Sequence, residues 1–114
     1  MLSFPATVKV YACTKAIDLR KSFDGLCGCV EQLIGVDPLS VHMFVFFNKR
    51  ATMVKVLAWD RTGFCIWFKR LEKGRFSTAS ISTSGSSIEL PELILILEGI
   101  DLTGARRRKR FRLP

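Results

Sequence analysis

Residues 43–70 read Met43-Phe44-Val45-Phe46-Phe47, then Asn48-Lys49-Arg50-Ala51-Thr52, then Met53-Val54-Lys55-Val56-Leu57-Ala58-Trp59, then Asp60-Arg61-Thr62-Gly63, then Phe64-Cys65-Ile66-Trp67-Phe68-Lys69-Arg70. β-Branched and aromatic residues fill the three long segments, and turn formers separate them. The stretch therefore predicts a three-stranded meander, with strands near Met43–Phe47, Met53–Trp59 and Phe64–Arg70. The first two strands are apolar on both faces. One face can take a helix. The other needs a second cover, either a C-terminal helix or another subunit, so self-association is expected.

Upstream, residues 6–12 alternate: Val8, Val10 and Ala12 face one way, Thr7, Lys9 and Tyr11 the other. That is a half-buried strand. From Asp18, the residues Leu19, Phe23, Leu26, Cys27, Val30, Leu33 and Ile34 make an apolar stripe at helical period. With Asp18 as N-cap and Gly35 as the stop, the pattern predicts a long helix over 18–34. Phe23, Leu26, Val30 and Leu33 should face the sheet, and Gly25 and Gly28 should allow close packing on it. Downstream, Ser77–Ser87 is Ser/Thr-rich and reads as a loop or irregular hairpin. Pro91 suits a first helical turn, and Leu93–Leu97 with Gly99 beyond it predicts a short helix over 91–98. The expected fold is α+β: an antiparallel sheet of about four to six strands packed on one long helix, with a short C-terminal helix.

A chain of 114 residues is long enough for one domain with its own core. Lys and Arg number 18 against 10 Asp and Glu, a formal net charge of +8. The distribution says more than the total. Arg106, Arg107, Arg108, Lys109, Arg110 and Arg112 form an acid-free run, which divides the chain into a domain over 1–104 and a basic tail over 105–114. Within the domain, residues 49–75 carry eight basic side chains, with only Asp60 and Glu72 opposing them. Two concentrations of positive charge are the footprint of a polyanion-binding protein.

The candidate nucleic-acid contacts follow. The tail residues Arg106, Arg107, Arg108, Lys109, Arg110 and Arg112 can release counterions from a phosphate backbone, or they can serve solubility or nuclear import. Lys69, Arg70, Lys73 and Arg75 run from a strand into a turn. Eight of the twelve aromatics lie between Phe44 and Phe76, where they can stack bases or simply fill the core. Arg20 and Lys21 fall in the expected first turn of the helix, where cations oppose the dipole. A phosphate there would relieve the conflict; alternatively, Arg20 pairs with an acid such as Asp24 or Glu98.

Catalytic chemistry is poorly provided for. The chain has one histidine, His42, no Gly-rich phosphate loop and no nucleophile elbow. We expect no enzyme, no cofactor and no metal site. Cys13, Cys27, Cys29 and Cys65 lack the paired spacing of a zinc site and are expected to be reduced. The start of the chain has no signal-peptide pattern, and the longest apolar runs fall far short of the ~20 residues of a membrane span. A cytoplasmic protein without membrane contact is expected.

Several segments together resemble a known family. They are Asp18-Leu19-Arg20-Lys21-Ser22-Phe23-Asp24-Gly25-Leu26, His42-Met43-Phe44-Val45-Phe46, Lys55-Val56-Leu57-Ala58-Trp59-Asp60, Gly63-Phe64-Cys65, Phe68-Lys69-Arg70-Leu71-Glu72-Lys73-Gly74-Arg75-Phe76 and Leu97-Glu98-Gly99-Ile100-Asp101. Their order and spacing resemble the accessory proteins, TnpB, encoded by the second open reading frame of the insertion-sequence sixty-six family. These are distinct from the RNA-guided nuclease of the same name. The likeness spans residues 7–112. Two stretches depart from the pattern: the Ser/Thr-rich residues 77–87, and Cys27-Gly28-Cys29, where small aliphatic residues are usual. The resemblance implies a bacterial mobile-element protein needed for transposition beside a separate transposase, which carries the catalytic acids.

The leading expectation is a non-catalytic DNA-binding accessory factor acting at element ends with the transposase. Its partners would be DNA, the transposase and other proteins of the element, and a second copy of itself. The alternative is a protein-interaction subunit that docks on the transposase and has only non-specific nucleic-acid affinity.

Overall fold

The computed structural model describes residues 8–39, 42–78, 81, 86–101 and 106–107. The expected meander forms: β2 (Met43–Phe47), β3 (Met53–Asp60) and β4 (Gly63–Arg70) pair antiparallel in that order. On the far side of β2 lie β1 (Lys9–Ala12) and then β5 (Ser86–Glu89), which gives the order β4-β3-β2-β1-β5.

The sheet is mixed, and this corrects the all-antiparallel sheet expected from sequence. β1 runs parallel to β2, with Val10 opposite Met43 and Ala12 opposite Val45, while β5 is antiparallel to β1. The reason is the connection. The chain between β1 and β2 carries a helix, and a helical crossover is what allows neighbouring strands to run parallel.

That helix is also shorter than the expected span of 18–34. It comprises α1 (Phe23–Cys29), continued by one π-helical turn over Val30–Ile34. Asp18 is not its N-cap. Residues 18–21 form a turn, closed by Lys21 N–H to the Asp18 carbonyl at 3.2 Å, and the first helical bond runs from Leu26 N–H to the Ser22 carbonyl. The π turn ends where Gly35, at φ 79°, donates its N–H to the Val30 carbonyl at 2.8 Å. Widening the helix there shifts the phase of its apolar stripe. Leu26 and Val30 are fully buried, but Phe23 and Leu33 are 44% and 36% exposed, against expectation. The helical glycines do not serve close packing on the sheet either. A Cβ at Gly28 would meet nothing within 4 Å, and one at Gly25 would meet only the Lys21 side chain.

Strand alternation divides the core into two layers, one on each face of the sheet. Val10, Ala12, Val45, Phe47, Val54 and Val56 pack with Phe76, Ile81 and Ile88, under Leu93 and Ile96 of α2 (Leu90–Leu97). On the other face Phe44, Phe46 and Leu57 pack with Cys13, Ile17 and Leu19, under Leu26 and Val30. Both faces of β3 are thus covered within one chain, which removes the ground on which its apolar faces predicted self-association. Beyond α2, β6 (Ile100–Asp101) and β7 (Arg106–Arg107) form a small antiparallel pair.

A basic cleft at the end of the sheet

Three segments far apart in sequence meet at one end of the sheet: the turn before α1, the β2–β3 turn with the start of β3, and the later part of β4 at Phe68. They enclose an open cleft of about 920 Å³, lined by Ala16, Ile17, Asp18, Leu19, Arg20, Asn48, Lys49, Arg50, Thr52, Met53, Lys55 and Phe68. Its floor is largely carbon and its rim is cationic.

Each cation is positioned by local structure. Asn48 organises the β2–β3 turn: its Oδ1 accepts from the Thr52 and Met53 N–H groups at 2.9 and 3.0 Å, and its Nδ2 donates to Thr52 Oγ1 at 3.0 Å. Ala51 takes φ 55° to complete the bend. Lys49 and Arg50 are left exposed at the tip. Across the cleft, the Arg20 guanidinium binds both Asp18 carboxylate oxygens at 2.6–3.0 Å. This bond holds the Asp18 carboxyl down at about 2 and raises the guanidinium further. Arg20 therefore pairs with Asp18, not with Asp24 or Glu98, and it precedes the helix instead of opening it. Lys55, between the two sides, donates from Nζ to the Lys21 carbonyl at 2.9 Å and sits 5.0 Å from the centre of the Phe68 ring. Attraction between ammonium and ring holds both at the cleft wall.

The strand-and-turn cluster is divided by the pleat. Arg70 lies opposite Met53, on the same face as Lys55 and Phe68, and pairs with Glu72 at 3.0 Å. Lys69 points to the other face, where its Nζ donates to the Leu97 carbonyl at 2.8 Å. Lys73 and Arg75 are exposed on the loop after β4. That loop is tied to the β2–β3 turn by Leu71 N–H to the Thr52 carbonyl and Phe76 N–H to the Ala51 carbonyl, at 2.8 and 2.7 Å. The buried Phe76 ring packs on Phe47. The backbone next to Arg75 is thereby held against the β2–β3 turn. In the tail, Arg106 and Arg107 lie on β7, and Arg108, Lys109, Arg110 and Arg112 lie outside the described residues.

Of the candidate contacts, Arg20 lines the cleft and Lys21 meets its wall through its carbonyl, bonded to Lys55; Arg70 shares the face of Phe68 but is paired with Glu72, and Lys69 faces away. Lys49, Arg50 and Lys55, which line the cleft, were not singled out as contacts from sequence. The signal was present in the basic excess of residues 49–75, but only the fold brings Lys55 beside Lys21, 34 positions away.

Other polar groups do not gather. Among the described residues, no three His, Cys, Asp or Glu side chains stand close enough to hold a metal ion. The His42 ring meets Tyr11 edge-on. The four cysteines are free thiols, and burial pushes Cys13 and Cys27 up from the ordinary thiol value. No described helix is long and apolar enough to cross a membrane.

Fold and cleft define a small α/β protein: one mixed sheet between two helical layers, with a cationic cleft at one end. Residues 8–107 match the family described as IS66 Orf2 like protein, and the chain belongs to that family. Membership places it in transposition, as an accessory protein associated with the element's transposase. The chain is also similar to two proteins of Sinorhizobium fredii (strain NBRC 101917 / NGR234). It is 33% identical to the uncharacterized protein y4hO over 101 residues, covering 89% of this chain and 88% of that protein. It is 27% identical to the uncharacterized protein y4jC over 101 residues, covering 89% and 86% respectively. No solved structure matches the chain.

Proposed function

We propose that this protein is a non-catalytic DNA-binding accessory factor, which holds element-end DNA for a separate transposase in the bacterial cytoplasm. The observation that carries this reading is the convergence of Lys49, Arg50 and Lys55 on one cleft beside the mutually neutralised Asp18–Arg20 pair, with no other acid in the lining among the described residues. A cation-rimmed concave surface suits a phosphate backbone, and phosphate contacts fix a protein's register and orientation on the duplex. Lys21, Arg70, Lys73 and Arg75 and the tail residues Arg106, Arg107, Arg108, Lys109, Arg110 and Arg112 supply further phosphate contacts. Lys69 acts through the fold, since its ammonium is engaged at the end of α2.

The test is fluorescence anisotropy of labelled element-end duplex against random duplex, at several salt concentrations. The log–log salt slope should flatten by about 0.9 for each phosphate contact removed. Lys49→Ala with Arg50→Ala, and separately deletion of residues 105–114, should each weaken binding and flatten the slope. Unchanged affinity and slope in both variants would favour a protein-interaction subunit instead.

A further inference from the structure

The two edges of the sheet are built differently. β5 is four residues long and carries Ser86, Ser87 and Glu89, the short, polar make-up that discourages further pairing. β4 is eight residues long and pairs only with β3 among the described residues. Its first six residues, Gly63 to Phe68, include no charge and no proline, and its pairing with β3 is unbroken by a bulge. Trp67 on one face and Phe68 on the other remain 47% and 53% exposed. An added strand would cover both, because neighbouring strands contact each other on both faces of a sheet.

We propose that the open edge of β4 pairs antiparallel with β4 of a second copy of this chain, about a twofold axis at Trp67. Charge selects this occupant and direction. In that register Trp67 lies opposite Trp67 of the second copy, Phe68 opposite Ile66, Lys69 opposite Cys65 and Arg70 opposite Phe64. No cation meets a cation, whereas a parallel pairing in register would oppose Lys69 to Lys69 and Arg70 to Arg70. Such an interface is isologous and closed: one pairing uses both β4 edges, and the guarded β5 edges end the ten-stranded sheet. The axis is perpendicular to the sheet, so both copies show the same face on the same side. The two Phe68 positions are then offset by two residues, about 7 Å along the strands. The two basic clefts become parts of one surface, a consequence that rests on the DNA-binding reading; the pairing itself does not.

Sedimentation equilibrium of the full chain tests this without DNA. The protein should be a dimer, and Trp67→Lys, which sets two ammonium groups face to face, should weaken association by at least about tenfold. Ile94→Lys, at a similarly exposed site on α2, should leave the dimer intact. Far-UV circular dichroism checks that each variant is folded. Hydrogen exchange on the unmodified protein gives a second measure: amides of residues 63–68 that do not face β3 should be protected at high concentration and lose protection on dilution. A monomer at every concentration, an intact Trp67→Lys dimer, or dissociation by Ile94→Lys would overturn the proposal. So would a monomer that uses Trp67 to capture the transposase.

Discussion

The ammonium of Lys69 on β4 caps the carbonyl of Leu97 on α2 at 2.8 Å. The last turn of α2 contains no basic residue of its own. A cation at a helix C-terminus satisfies an orphan carbonyl and opposes the negative end of the dipole. Replacing Lys69 with Met keeps the stem and removes the charge. This should destabilise the protein by about 1 kcal/mol in urea unfolding. Duplex DNA affinity should change less than in the Lys49→Ala, Arg50→Ala double variant; an equal or larger loss would place Lys69 at the interface.

The layer under α1 rests on residues that the helical stripe only half identifies. Leu26 is fully buried, and its truncation to Ala should cost about 2–5 kcal/mol. Phe23, 44% exposed, should tolerate Ala at under about 1.5 kcal/mol. Denaturant midpoints of the two variants, measured with wild-type slopes, check the ranking. A larger loss at Phe23 would mean that α1 packs with a different face.

What the sequence disclosed, and what it hid, divides along physical lines. The β2–β3–β4 meander was legible because β-branched and aromatic runs alternate with turn formers, all local features. The parallel β1–β2 pairing was encoded only in the strand–helix–strand order around residues 23–34. That order is equally compatible with antiparallel neighbours until the crossover is seen. The length of the helix was misread because Leu19 fits the apolar stripe, although it packs from the turn before the helix. The cleft was half legible: its charges are countable, but whether Lys69 or Lys55 serves it depends on strand parity and on a partner 34 residues away.

Gly35 and Gly28 should respond to alanine with opposite signs. Gly35 holds φ 79° at the close of the π turn, where an L side chain is strained, so Gly35→Ala should cost about 1–2 kcal/mol. Gly28 lies within α1 with open space at its Cβ, so Gly28→Ala should stabilise by roughly 0.5–1 kcal/mol. Thermal melts of the two variants measure the contrast. Equal shifts would deny the left-handed bend at Gly35.

Asp18 offers a pH signature of the cleft. Its carboxyl is held at about 2 by the Arg20 guanidinium, below the usual 3.8. A lowered carboxylate value in the folded protein contributes stability above the ordinary value and loses it as pH falls through the folded one. The pair is exposed, so the effect on overall stability is small. The direct measurement is an NMR titration of the Asp18 side chain, with a midpoint near 2 that moves up toward 3.8 in Arg20→Gln. A midpoint near 3.8 in the wild type would mean that the fork does not persist in solution.

Asn48 separates the shape of the cleft from its charge. Its carboxamide supplies the acceptor for two backbone N–H groups and the donor to Thr52, and so fixes the turn from which Lys49 and Arg50 project. Asn48→Ala leaves the net charge untouched but removes that acceptor. It should cost about 1–3 kcal/mol, and it should weaken DNA binding because the two cations lose their fixed positions. Asn48→Asp keeps an oxygen where Thr52 and Met53 N–H need one, so stability should fall less. It also sets a negative charge beside Lys49 and Arg50, so DNA affinity should fall at low salt and converge on the wild type as screening increases. Urea unfolding and anisotropy titrations on the same preparations distinguish the two effects. If both variants bind duplex DNA as tightly as the wild type, the 48–52 turn is not a contact surface, and the cations of the cleft serve another partner.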